Sequence, residues 1–149
     1  MLKLHTLIFA GLLALVAPAS AEMMSVESAD GVSETMDRLQ AAVEGAGATV
    51  FARVNHGAGA QSVDMELDDA ELLIFGNPML GTPALQDDIQ AGLLLPLRVL
   101  VHASGDGSVI VWEDPVAMFE GLEIAEDAPY IARMRGALGN LTQAAASGG

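Results

Sequence analysis

Leu72-Leu73-Ile74-Phe75-Gly76-Asn77-Pro78-Met79-Leu80-Gly81-Thr82-Pro83 is the stretch on which the fold turns. Its unbroken apolar run predicts a central strand buried on both faces. Gly76-Asn77-Pro78 ends that strand. Thr82-Pro83 reads as a cap followed by proline in the first helical turn, which opens a helix of about two turns to Gln90. A buried strand that delivers the chain through a tight loop to a helix start is a place where folds keep ligands.

Working outward, the flanking segments supply the rest of an α+β domain. Met23 to Val26 reads as a short strand and Asp30-Gly31 as a turn. Ser33 reads as a helix cap, with Met36, Leu39 and Val43 at helical spacing and Glu34 placed to pair with Arg38. Thr49 to Val54 alternates as a strand, with Val50 and Ala52 expected on one face. Asn55 to Ala60 is rich in small residues and reads as a loop entering a short helical turn; Asp64 to Asp69 reads as acidic and exposed.

Beyond the central stretch, Leu97 to Ala103 and Val109 to Glu113 read as strands joined by the hairpin signal Ser104-Gly105-Asp106-Gly107. A hairpin is antiparallel by necessity. Asp114-Pro115 starts a short helix through Phe119, and Ile131, Met134, Leu138 and Leu141 form one stripe of a last helix from Pro129 to Ala145. The expected fold is α+β: a mostly antiparallel sheet covered by helices, in a single domain over 22–146, with a disordered tail at 147–149.

The N-terminus reads as an export signal. Lys3 and His5 precede an apolar run from Leu7 to Val16, and Ala19-Ser20-Ala21 fits a cleavage site, so residues 1–21 are expected to be removed. The run is shorter than the roughly 20 residues of a membrane span. Removing 21 of 149 residues leaves 128, enough for one core. The cut also removes Lys3, the only lysine, taking the formal charge from −14 to −15. A surface of that sign does not suit nucleic acid, which is held by Lys and Arg on phosphates. The chain has no cysteine, hence no disulfide or thiol chemistry. A periplasmic or secreted protein, not inserted in a membrane, is the expectation.

Four ordered stretches resemble the domain of unknown function 302 family. They are Glu34-Thr35-Met36-Asp37-Arg38-Leu39, Phe51-Ala52-Arg53-Val54-Asn55-His56, Leu73-Ile74-Phe75-Gly76-Asn77-Pro78 with Gly81-Thr82, and Leu95-Pro96-Leu97-Arg98-Val99-Leu100-Val101; Asp114-Pro115 also matches. The resemblance implies a compact α+β domain, commonly dimeric and often of the cell envelope, with no established activity. That family usually has Asp before the motif histidine, where this chain has Asn55. A neutral amide cannot hold an imidazole protonated as a carboxylate does.

Gly76 to Thr82 has the glycine spacing of a phosphate loop but lacks its lysine, and Asp87 and Asp88 follow, so nucleotide triphosphates are excluded. His56 and His102 are the histidines outside the signal, and their separation lacks metal-ligand spacing. The methionines form no Met-x-x-Met run, so they read as packing. No G-x-S-x-G elbow is present. No cofactor or metal is indicated. The functional expectation is an exported, non-enzymatic envelope binding or accessory module and a homodimer, with a small-molecule groove where His56, Asn77, Thr82 and His102 converge. The rival is an enzyme with His56 as general acid/base; a third reading is a structural or assembly protein acting through its dimer surface.

Overall fold

The computed structural model describes residues 22–148. Its element order is β1 (Met23–Ser28), α1 (Val32–Gly45), β2 (Thr49–Asn55), α2 (His56–Gln61), β3 (Ala70–Gly76), α3 (Pro78–Asp87), a 3-10 turn (Ile89–Leu93), β4 (Leu97–Ser104), β5 (Gly107–Glu113), α4 (Pro115–Met118) and α5 (Pro129–Ala146). The five strands form one sheet in the order β1-β5-β4-β3-β2, every pair antiparallel. The α+β architecture expected from the sequence is the one observed. The expected signal segment, 1–21, lies outside the described residues.

One face of the sheet carries the core. Leu73 and Phe75 of β3, Leu97, Val99 and Val101 of β4, and Ile110 of β5 are buried together with Met36, Leu39 and Val43 of α1 and Ile131, Met134, Leu138 and Leu141 of α5. The stripes legible as helical spacing therefore pack on this face. The other face has no such cover: Leu72, Ile74, Leu100, Val109 and Val111 remain half-buried. The β3 burial pattern alternates strictly, which corrects the expectation of a strand covered on both sides. An unbroken apolar run marks a strand in the middle of a sheet; here its second face is apolar without being covered.

Several local expectations shift for identifiable reasons. In β2 a bulge at Phe51 sets Val50 opposite Phe75 and Ala52 opposite Ile74, so the two lie on opposite faces instead of sharing one. α1 begins at Val32 with Gly31 as N-cap and no side-chain cap, so Ser33 is a helical residue. The preceding turn is held instead by hydroxyls. Ser28 and Thr35 lie 2.9 Å apart, and Ser108 donates to the Asp30 carbonyl at 2.8 Å. The Glu34–Arg38 pair forms, at 3.2 Å. At the far end Ser147 is the C-cap of α5, its hydroxyl donating to the Gln143 carbonyl at 2.7 Å; Gly149 lies outside the described residues.

The central stretch itself starts its helix earlier than expected. Asn77, not Thr82, is the N-cap of α3: its Oδ1 accepts from the Met79 amide at 2.9 Å, and Pro78 fills the first helical position. Thr82 and Pro83 therefore lie inside the helix. α3 ends at Asp87, and Asp88 caps the 3-10 turn that follows by accepting from the Gln90 amide at 2.8 Å. Two proline start signals compete in this stretch, and the one preceded by a side-chain acceptor directly after the strand prevails.

Candidate functional site

Strand register decides which expected site residues can meet. Asn55 pairs with Glu71 and Thr49 with Gly76, so β2 and β3 run past each other over five residues. At about 3.4 Å per residue, roughly 17 Å of sheet separates Asn55 from Gly76. His56 follows Asn55, and Asn77 follows Gly76. The structure thus sets His56 and the Asn77–Thr82 turn at opposite ends of the sheet; they do not converge.

His102 belongs to the His56 end. It pairs with Ala70 and Val109 on the open face, and its Nδ1 lies 2.9 Å from the Ala103 carbonyl. Two strand spacings, about 10 Å, separate Asn55 from Val101, the neighbours of the two histidines. His56 is exposed as the first residue of α2, and Asn55 caps that helix by accepting from the Ala58 amide at 2.7 Å. Among the described residues no group of three or more His, Asp or Glu side chains is arranged to hold a metal ion.

Beneath α1 on the same end sits an ion cluster. Arg53 donates to Glu71 and Asp37, and Asn55 Nδ2 donates to Glu71 at 3.4 Å. Glu71 is 7% exposed and buried on the core face. Its hydrogen bond is the largest influence that holds the Arg53 pKa above the ordinary value, against the opposing effect of burial. The cluster is satisfied from within the chain.

The Asn77–Thr82 end opens into a groove of about 430 Å³. Its floor is Phe75, Leu97, Met134 and Leu141, all buried. Leu80, Leu85 and Leu95 form the opposite wall, with Phe51 from the bulge at one side. The polar lining side chains are Asn77 and Thr82. Asn77 spends Oδ1 on the cap, which leaves Nδ2 as a donor with no partner among the described residues; nor does the Thr82 hydroxyl have one. A second hollow of about 400 Å³ lies beside Glu22, Glu120 and Glu126, which bring carboxylates but no facing cation.

Asn77 and Thr82, expected at a site from the strand-to-helix chemistry, both line this groove. Met134 and Leu141 were legible only as core. Hydrophobic spacing identifies the face a helix buries, not whether a neighbour fills the space above it. Phe51 carried the one available signal, a large aromatic on the side of β2 that alternation assigns to neither neighbour.

The fold and sequence have relatives. A crystal structure of an uncharacterized conserved DUF302 protein from Bacillus stearothermophilus superposes with a TM-score of 0.72 at 17% identity, covering 83% of this chain and 97% of that one. The chain is 39% identical over 127 residues to the "Fluoride-specific ion channel FluC 1" of Brucella suis biovar 1, covering 83% of this chain and 50% of that protein. Its counterpart in Brucella abortus biovar 1 is also 39% identical, with 47% of its length covered. The chain spans about half the length of these curated relatives. The family model described as "Domain of unknown function DUF302" matches residues 24–144, nearly all of the described fold, and the chain belongs to that family.

Proposed function

We propose that this protein is a non-enzymatic binding or accessory module of the cell envelope, exported after cleavage near Ala21. Its ligand site is the groove between α3 and α5. The observation that carries the reading is the groove's lining: a volume of about 430 Å³ falls in the range of small-molecule sites, and no side chain around it is an acid, base or nucleophile beyond a threonine hydroxyl. His56 follows Asn55, which lies roughly 17 Å along the sheet from Gly76 at the groove. An accessory role is supported by the relatives named fluoride-specific ion channels. The region shared with them covers 83% of this chain, and among its described residues no helix is long and apolar enough to cross a membrane. Native mass spectrometry of the protein isolated from its own envelope fraction tests both parts. A mass beginning at Glu22 with a retained small molecule is expected; an unprocessed N-terminus, or an empty protein whose melting temperature no small molecule shifts, counts against it.

The protein is further proposed to be a homodimer through the open face of its sheet. Val54, Leu72, Leu100 and Val111 lie in one cross-strand row, flanked by Ile74 and Val109. Five strands about 4.8 Å apart and some six residues long give roughly 500 Å² per subunit, hence about 1,000 Å² in a face-to-face pair, the lower bound for a specific interface. Sedimentation is expected to give a dimer that Leu100→Lys converts to a folded monomer. A monomer at high micromolar concentration would remove the dimer and leave the groove untouched.

A further inference from the structure

The groove's electrostatics are unusual for this chain. The sequence has 20 Asp and Glu residues, yet every residue lining the groove is uncharged. A charged headgroup inside it would lose hydration without gaining a counter-ion, which disfavours it. An anion meets a second obstacle in the field of a protein with a formal charge of −14. A cation is drawn by that field toward the surface carboxylates, which lie outside the groove.

The polar groups at the helix start narrow the choice further. Asn77 Oδ1 is committed to the Met79 amide, so the side chain can offer a ligand only the N–H donors of Nδ2. Thr82, inside α3, adds one hydroxyl to the same lining. These groups suit a carbonyl, ether or ring nitrogen at one end of the ligand. The remaining walls are leucine, phenylalanine, methionine and proline, which suit an apolar body. Phe51, 60% exposed, lines the groove; Met79 and Leu93, each 83% exposed, are chain neighbours of lining residues. Large apolar side chains so exposed mark a binding surface when they cluster about a hollow.

We propose that the groove takes an uncharged small molecule with an apolar body and one hydrogen-bond acceptor, the acceptor seated at Asn77 Nδ2. This rests on the reading of the groove as the ligand site. Its volume, near the low end of the small-molecule range, fits a molecule of two or three rings or a short single chain.

Two dyes that differ by one sulfonate separate the ligand class from the site. N-phenylnaphthylamine is neutral; anilinonaphthalene sulfonate is the same ring system with an anion attached. Fluorescence titration of the intact protein is expected to show saturable binding of the neutral dye and binding about tenfold or more weaker for the sulfonate, a gap that persists when salt screens the protein's field. Ala137→Trp, on the α5 wall, should abolish the binding without altering the far-ultraviolet circular dichroism; Leu85→Trp fills the groove from the other wall if the first variant does not fold. Asn77→Asp keeps the cap acceptor and removes the donor, so it should weaken the neutral carbonyl dye prodan about fivefold while leaving N-phenylnaphthylamine within twofold. Equal affinity for the two naphthalene dyes overturns the ligand class and leaves the groove as a site. Unchanged prodan affinity in Asn77→Asp overturns the seat of the acceptor. If neither dye binds, or if both tryptophan variants fold and bind normally, the groove itself is not the site.

Discussion

The hydroxyl of Tyr130 donates to Asp87 Oδ2 at 2.6 Å, which ties the first turn of α5 to the last residue of α3. One residue on, Asp88 accepts from the Glu123 amide at 3.1 Å. α3 forms one wall of the groove, so these two bonds fix the far end of that wall against the body of the fold.

Tyr130→Phe should lower stability by about 1–2 kcal/mol, the scale of a part-buried hydrogen bond to a carboxylate, as read from urea denaturation at neutral pH. It should also loosen neutral-dye binding in the groove. A stability loss without any change in dye binding would mean that the α3 wall keeps its place without this bond.

The Tyr130 pKa is raised from 10 to about 12, first by burial and then by Asp87. The folded state therefore holds this proton more tightly than the unfolded chain. That contribution is fully present below pH 10 and is lost as pH rises through about 12. Tyr130 is the only tyrosine, so tyrosinate absorbance follows it alone. An ionisation midpoint near 10 in the native protein would contradict the burial and the bond together.

A Cβ placed on Gly107 would stand 2.3 Å from the Ser28 carbonyl oxygen, inside any permitted contact. Gly107→Ala should therefore push β1 off β5 at the Ser28–Ser108 pair and cost about 2–3 kcal/mol or more. Gly105→Ala, in the same hairpin at φ 56° with open space around it, should cost only about 1 kcal/mol. Equal costs would show that β1 can yield at little expense.

Arg53→Met leaves Glu71 with Asn55 as its remaining side-chain partner. A buried carboxylate stripped of its cation typically costs about 3–5 kcal/mol, and Arg53 is partly open to water, so a loss near the lower end is expected in urea denaturation. Glu71→Gln should cost less, because the amide can still accept from Arg53. A smaller loss for Arg53→Met than for Glu71→Gln would reverse this account of the cluster.

Asn77→Ala should destabilise the protein by about 1 kcal/mol through loss of the cap, whereas Asn77→Asp should be near neutral. Thr82→Ala, inside the helix, should change stability little. A larger effect at Thr82 than at Asn77 would restore Thr82 as the helix start.

Much of this was legible from residue order. The hairpin at Gly105-Asp106, the stripes of α1 and α5, and the Glu34–Arg38 pair follow from local chemistry that neighbours in sequence settle by themselves. The helix start at Asn77 was half legible: Asn-Pro after a strand is a start signal, but Thr-Pro five residues later is one too. Only the chain's need to leave β3 and cross the sheet end at once selects the first. The bulge at Phe51 was hidden because alternation is read by counting, and an inserted residue shifts the count without marking itself.

The candidate site divides along the same line. The sequence by itself determined that Asn77 sits where a strand gives way to a helix, that the phosphate-loop lysine is absent, and that His56 follows a strand. Only the tertiary structure decided that β2 and β3 run antiparallel, and direction decides which strand ends are neighbours. Because they do, Asn55 and Gly76, the residues that precede His56 and Asn77, are held roughly 17 Å apart along the sheet. The space above Met134 and Leu141 is likewise a property of packing between α3 and α5, elements distant in sequence, and no local pattern specifies how far apart two such elements come to rest.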